Sequence, residues 1–211
     1  MTEEGLEVTQ SLAETFETAD LIEIDLADNA MGPRGLSRVK SMFQNSSLQR
    51  LNLGNCGLSA ESMELLKTYV LADDKRIANG LTDLVLDRNM MGPDGAKVVG
   101  EILPHCKKLK SFSYLGCRTR EEGTRFLAKG LLGMVQDCDR PALSKLELDD
   151  CTFGGDEDPA YEPLSEALKK CSQMRYLNVT DGNFQNDGLA KLIGGLTESG
   201  ATMTHLLLGM C

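Results

Sequence analysis

Tryptophan is absent from the 211 residues and aromatic side chains make up only 5% of them. A core built on large rings is therefore excluded, and aliphatic side chains must supply most of the buried area. Positive charge is also short: 22 Lys and Arg stand against 32 Asp and Glu, a net charge of −10. A phosphate backbone is held by clustered cations, so this balance argues against nucleic-acid binding and favours a basic protein partner. No apolar run approaches the roughly 18–20 residues that span a bilayer, so no membrane insertion is expected. The first seven residues are acidic and lead into no apolar stretch, as a secretory signal would require. No two of the seven cysteines lie two or three residues apart, which excludes the usual zinc and redox pairs and predicts a reduced, intracellular chain. The triplets Asn45-Ser46-Ser47 and Asn178-Val179-Thr180 are read as chance occurrences rather than glycosylation sites.

Catalytic signatures are missing too. The chain has no P-loop, no G-x-G-x-x-G and no H-E-x-x-H. His105 and His205 are far apart, with no Ser, Cys or Asp arrangement that would form a triad. No metal, no cofactor and no bond-making chemistry of the chain's own are expected.

Leucine is what the sequence has in excess, at 33 of 211 residues. These leucines fall into one recurring pattern, L-x-x-L-x-L-x-x-N/C-x-L. It runs through Leu21, Ile24, Leu26, Asn29 and Met31, then Leu48, Leu51, Leu53, Cys56 and Leu58, then Leu81, Leu84, Leu86, Asn89 and Met91. Four further copies start at Leu109, Leu143, Met174 and Met203, and the offsets between starts are 27, 33, 28, 34, 31 and 29 residues. Apolar residues two apart point to one face of a short strand, so each copy opens with a strand. The Asn or Cys three residues later turns inward, Asn to bond the turn and Cys to fill the same slot as a small hydrophobe. Apolar residues at helical spacing follow, as at Leu36, Val39, Met42 and Phe43, or Met63, Leu65, Leu66, Tyr69 and Val70. Gly32-Pro33-Arg34-Gly35 and Gly92-Pro93-Asp94-Gly95 repeat one turn before two of these helices.

Strand, turn and helix in about 30 residues form a long leucine-rich repeat. Stacked units predict an α/β leucine-rich-repeat solenoid, a right-handed β-α superhelix in a ribonuclease-inhibitor-like arc, with a parallel sheet on the concave side. One domain over residues 1–211 is expected, with six to seven repeats. No terminal cap is recognisable, which reads as a fragment of a longer chain. Residues 72–80, 132–142 and 154–163 are read as longer connections, and the acidic 154–163 as a solvated linker, since it lacks EF-hand spacing. Outward strand positions and the residues just past each strand are mostly acidic, which fits a basic protein surface.

Several of these turns resemble a known family. Leu-Ala-Asp-Asn-Ala-Met-Gly-Pro at 26–33, Leu-Gly-Asn-Cys-Gly-Leu at 53–58, Asp-Arg-Asn at 87–89 and Leu-Asp-Asp-Cys-Thr-Phe at 148–153 are similar to successive repeats of the Ran GTPase-activating proteins. The resemblance implies a protein that binds the GTP- and magnesium-loaded small GTPase Ran, speeds its hydrolysis without being an enzyme by itself, and works in the cytoplasm or at the nuclear envelope. It further implies that Asn55 orients the GTPase's own glutamine, with no arginine finger inserted. Asp150 matches an acidic contact residue, Arg88 and Asn89 match part of a Gly-Arg-Asn run, and Asp28 and Asp87 complete the expected partner-binding set. The family's basic loop, which precedes the repeat starting at Leu21, has no counterpart here. The alternative is a non-catalytic leucine-rich-repeat scaffold in a larger assembly.

Overall fold

The computed structural model describes residues 2–44, 47–155 and 158–211. Every L-x-x-L-x-L copy forms a three-residue strand: β1 Glu23–Asp25, β2 Arg50–Asn52, β3 Asp83–Val85, β4 Ser111–Ser113, β5 Lys145–Glu147, β6 Tyr176–Asn178 and β7 His205–Leu207. They pair in parallel and in sequence order, so the chain is an α/β leucine-rich-repeat solenoid. The register aligns the middle residue of each strand, Ile24, Leu51, Leu84, Phe112, Leu146, Leu177 and Leu206. The first six are at most 2% exposed, whereas Leu206 is 41% exposed.

The helices close each unit: α1 Glu3–Thr15, α2 Gly32–Arg38, α3 Ser41–Gln44, α4 Ala60–Val70, α5 Ala72–Gly80, α6 Gly92–Ile102, α7 Arg120–Gln136, α8 Tyr161–Lys169 and α9 Gln185–Glu198. Their apolar faces and the strand leucines form one continuous core. Helices α6 and α7 touch through glycine: a Cβ on Gly130 would lie 2.5 Å from the Gly100 carbonyl oxygen.

Three local expectations change. The helix expected over 35–43 is two, because Val39 leaves helical geometry (φ −97°, ψ 10°) and bonds back to the Leu36 carbonyl. Leu36, Val39, Met42 and Phe43 are all buried nonetheless. Residues 72–80 form α5 rather than a loop, and residues 132–136 of the next connection extend α7, burying Met134 and Val135. In the third connection, residues 156 and 157 lie outside the described residues, as do Asn45 and Ser46 of one glycosylation-type triplet. The described part of that connection is tied down, with Asp158 2.7 Å from Lys129 and 3.7 Å from Arg125.

The inward Asn/Cys slot is a hydrogen-bonding position in both its forms. Asn89, 1% exposed, donates to the carbonyls of Leu53, Leu86 and Asp87 and accepts from the amides of Cys56 and Leu58. In the same slot, Cys56, Cys117, Cys151 and Cys211 each donate a thiol hydrogen to the preceding repeat, at the carbonyls of Leu26, Leu86, Tyr114 and Val179. Cysteine here is more than filler. Burial pushes the thiols of Cys117 and Cys151 up to about 12, which keeps them protonated as donors.

Candidate protein-interaction rim

Each strand exits into a turn whose first demand is on the backbone. The residue before the Asn/Cys slot is left-handed in all seven turns: Asp28, Asn55, Arg88, Gly116, Asp150, Asp181 and Met210, with φ between 51° and 60°. These residues continue the sheet ladder beyond the strands. The Asp28 amide donates to the Gly54 carbonyl (2.9 Å), Asn55 to Asp87 (2.7 Å), Arg88 to Leu115 (2.7 Å) and Asp150 to Thr180 (3.1 Å). The turns therefore stack like the strands, roughly 4.8 Å apart, and set out a row of side chains along one rim.

Asn and Asp tolerate this conformation, so their presence in four of the seven turns answers a backbone need before any partner is considered. Arg88 does not fit that account. A longer side chain pays roughly 1–2 kcal/mol in the left-handed region.

Asp28, Asn55 and Arg88 come together, although 27 and 33 residues separate them in sequence. Asn55 Nδ2 donates to Asp28 Oδ1 at 2.9 Å, and an Arg88 guanidinium nitrogen lies 3.6 Å from the same oxygen. All three side chains are exposed. Arg50 pairs with Glu23 at 2.6 Å and Asn52 bonds Asp25 at 3.0 Å on the adjoining strands.

The other expected contact residues divide. Asp87 is half-buried and accepts from the Ser113 hydroxyl and the Leu115 amide, both at 3.0 Å. Burial raises its carboxyl above the ordinary range, against the lowering effect of those two bonds. It braces the turns on either side. Asn89 cannot be a contact residue, because its amide is buried and engaged by the five backbone bonds described above. It stands beneath Arg88, facing inward where Arg88 faces out. Asp150 is exposed on the turn after β5, two repeats away from Arg88.

The acidic residues expected along the rim are interrupted by a run of arginines. In sequence order the rim passes from Asp28 through Asn55 to Arg88, then Arg118 and Arg120, and returns to Asp149, Asp150 and Asp181. Arg118 and Arg120 escaped the sequence reading. The signal for them lies in comparing repeats, since Arg118 holds the place of Gly57, and Arg120 that of Gly32 and Gly92. On the concave face beside β5 to β7, Lys145 Nζ lies 5.2 Å from the Tyr176 ring centroid and pairs with Glu147 at 2.6 Å, and Tyr176 meets His205 at 5.4 Å. Among the described residues, no group of three or more His, Cys, Asp or Glu is placed to hold a metal ion, and no helix is long and apolar enough to cross a membrane.

Residues 44–67 match the family model described as Leucine Rich repeat. The chain is similar to human NACHT, LRR and PYD domains-containing protein 5, at 26% identity over 90% of this chain and 17% of that protein. It is similar to mouse ribonuclease inhibitor, at 25% identity over 90% of this chain and 33% of that protein. A shorter likeness, 32% identity over 39% of this chain and 16% of the relative, is to Ran GTPase-activating protein 1 of Xenopus laevis. The chain thus spans a third or less of the length of these relatives. Together with the parallel seven-stranded sheet, these likenesses show a leucine-rich-repeat solenoid fold.

Proposed function

We propose that this solenoid binds a small GTPase of the Ran type through the strand-exit rim and stimulates its GTP hydrolysis. The observation that carries this reading is the exposed cluster of Asp28, Asn55 and Arg88 on three consecutive turns. Asp28 holds one amide hydrogen of Asn55, so the side chain is oriented before a partner arrives. Its remaining oxygen and second hydrogen can engage the carboxamide of a partner glutamine, which in turn aligns the attacking water. Orientation of this kind accelerates a reaction without any group of this chain touching the phosphate. The local likeness to a Ran GTPase-activating protein supports the same partner class.

The test is single-turnover GTP hydrolysis by Ran, with and without the full chain. Acceleration by the unaltered protein, with a loss of about 100-fold or more in Asn55→Ala, supports the reading. No acceleration at micromolar concentration rejects it.

A second reading is a non-catalytic scaffold. It is favoured by the longer likenesses, which cover 90% of the chain rather than 39%. Under it, the same rim holds a partner in a complex that survives gel filtration while Ran hydrolysis is unchanged.

A further inference from the structure

Arg118 and Arg120 occupy left-handed backbone positions that other repeats fill with glycine or, in the sixth repeat, with Asn183 (φ 47°) and Gln185 (φ 58°). Arg118 (φ 58°) stands one residue past the inward slot, where the second repeat has Gly57 (φ 67°). Arg120 (φ 54°) opens α7, where α2 and α6 open on Gly32 (φ 56°) and Gly92 (φ 61°). Left-handed geometry is natural to glycine and unfavourable for a long side chain. Both arginines also sit at the N-terminal end of a 17-residue helix, where the helix dipole disfavours cations. Of the acidic residues in that first turn, Glu121 is engaged by Arg125 at 3.0 Å, and Glu122 is exposed beside them. Both arginines are exposed, and among the described residues neither forms an ion pair with a carboxylate. Arg88, on the neighbouring turn, is already engaged by Asp28 at 3.6 Å.

Backbone strain without an internal partner marks groups held for something outside the chain. We propose that Arg118 and Arg120 form a carboxylate-recognition site for an acidic segment of a protein partner. The guanidinium fork fits carboxylates in paired contacts. Asp149 and Asp150 on the next turn repel an extended polyanion such as nucleic acid, whereas a short acidic patch fits between the acidic arms of the rim. The resulting order of charges, negative, positive, negative, fixes the register of a partner along the turns. This site stands whichever protein the rim engages.

The experiment follows backbone amide shifts of the full chain during titration with a hexaglutamate peptide at low salt. It compares the unaltered protein with the double variants Arg118→Gly/Arg120→Gly and Lys108→Ala/Lys110→Ala, the second removing two exposed cations that precede β4. The expected result is shifts centred on residues 116–122, about tenfold weaker binding in the arginine variant, and little change in the lysine variant. Because glycine suits both positions, the arginine variant should melt no lower than the unaltered protein. The proposal is overturned by an absence of binding, by equal losses in both variants, or by a lowered melting temperature in the glycine variant, which would make the arginines structural.

Discussion

Asn55 and Asp28, on successive exit turns, share a 2.9 Å hydrogen bond in which the amide nitrogen of one meets the carboxylate of the other. The same carboxylate oxygen faces Arg88 on the third turn. A side chain offered to solvent is thereby given a fixed orientation by its neighbours. Its free oxygen is the acceptor that a partner meets.

Asp28→Ala separates this positioning role from stability. Exposed pairs of this kind contribute about 0–1 kcal/mol, and alanine at φ 60° costs roughly 1 kcal/mol more, so the melting transition should fall only modestly. Partner stimulation should fall with Asp28→Ala, though less than with Asn55→Ala, because the amide is then free to rotate but still present. Equal activity of Asp28→Ala and the unaltered protein in the Ran assay would rule out the positioning role.

Asn89→Ala should act on the fold. It strands the buried amides of Cys56 and Leu58 and the carbonyl of Leu53, while the Leu86 and Asp87 carbonyls keep the Cys117 thiol and the Asn55 amide. Groups left unsatisfied in this way cost about 1–3 kcal/mol each before relaxation, so a loss of roughly 3 kcal/mol or more is expected in urea denaturation. Asn89→Cys should be milder, because a thiol in this slot still bonds the preceding repeat, as Cys117 does at 3.3 Å.

Two glycine substitutions should have opposite signs. Gly130→Ala drives a methyl into the Gly100 carbonyl at 2.5 Å, and overpacking of this kind costs about 1–3 kcal/mol. Gly194→Ala in α9 meets nothing within 4 Å and should stabilise by about 0.5–1 kcal/mol through helix propensity. Denaturation of both variants under one set of conditions checks the pair.

Four buried thiols make the fold sensitive to alkali. Burial pushes Cys106, Cys117, Cys151 and Cys171 up to about 12 from an ordinary value of 9.0. Above pH 9 the unfolded chain loses these protons while the folded chain keeps them, so the folded state binds more protons and stability falls as pH rises from 9 towards 12. Below pH 9 their contribution is fully present. Denaturation midpoints across that window should decline, and Cys→Ser at any one of the four should flatten the decline. At pH 8 a thiol reagent should label the half-buried Cys138 and Cys211 of the folded protein well before these four.

The strands and the core were legible in the sequence because a period of two places Ile24 and Leu26, or Leu84 and Leu86, on one face without further information. The repeat offset then fixed which strands pair. The break at Val39 was not legible, since both half-helices bury the residues that a single helix would have buried. Nor was the rim cluster. Asp28 and Asn55 become neighbours only when a 27-residue offset is converted into one strand spacing, and their side-chain bond depends on left-handed turns that the motif does not spell out. Asn89 shows two readings in conflict. The repeat pattern placed it inward, the resemblance placed it against a partner, and the periodic argument prevailed because adjacent residues of a tight turn face opposite ways.

Hydrogen–deuterium exchange of the full chain, with and without Ran loaded with a non-hydrolysable GTP analogue, tests most directly whether the rim is the binding surface. The account predicts slowed exchange in the turns at residues 26–31, 53–58 and 87–91, with the helices on the opposite side unchanged. Unchanged exchange throughout, or slowing confined to those helices, would contradict it.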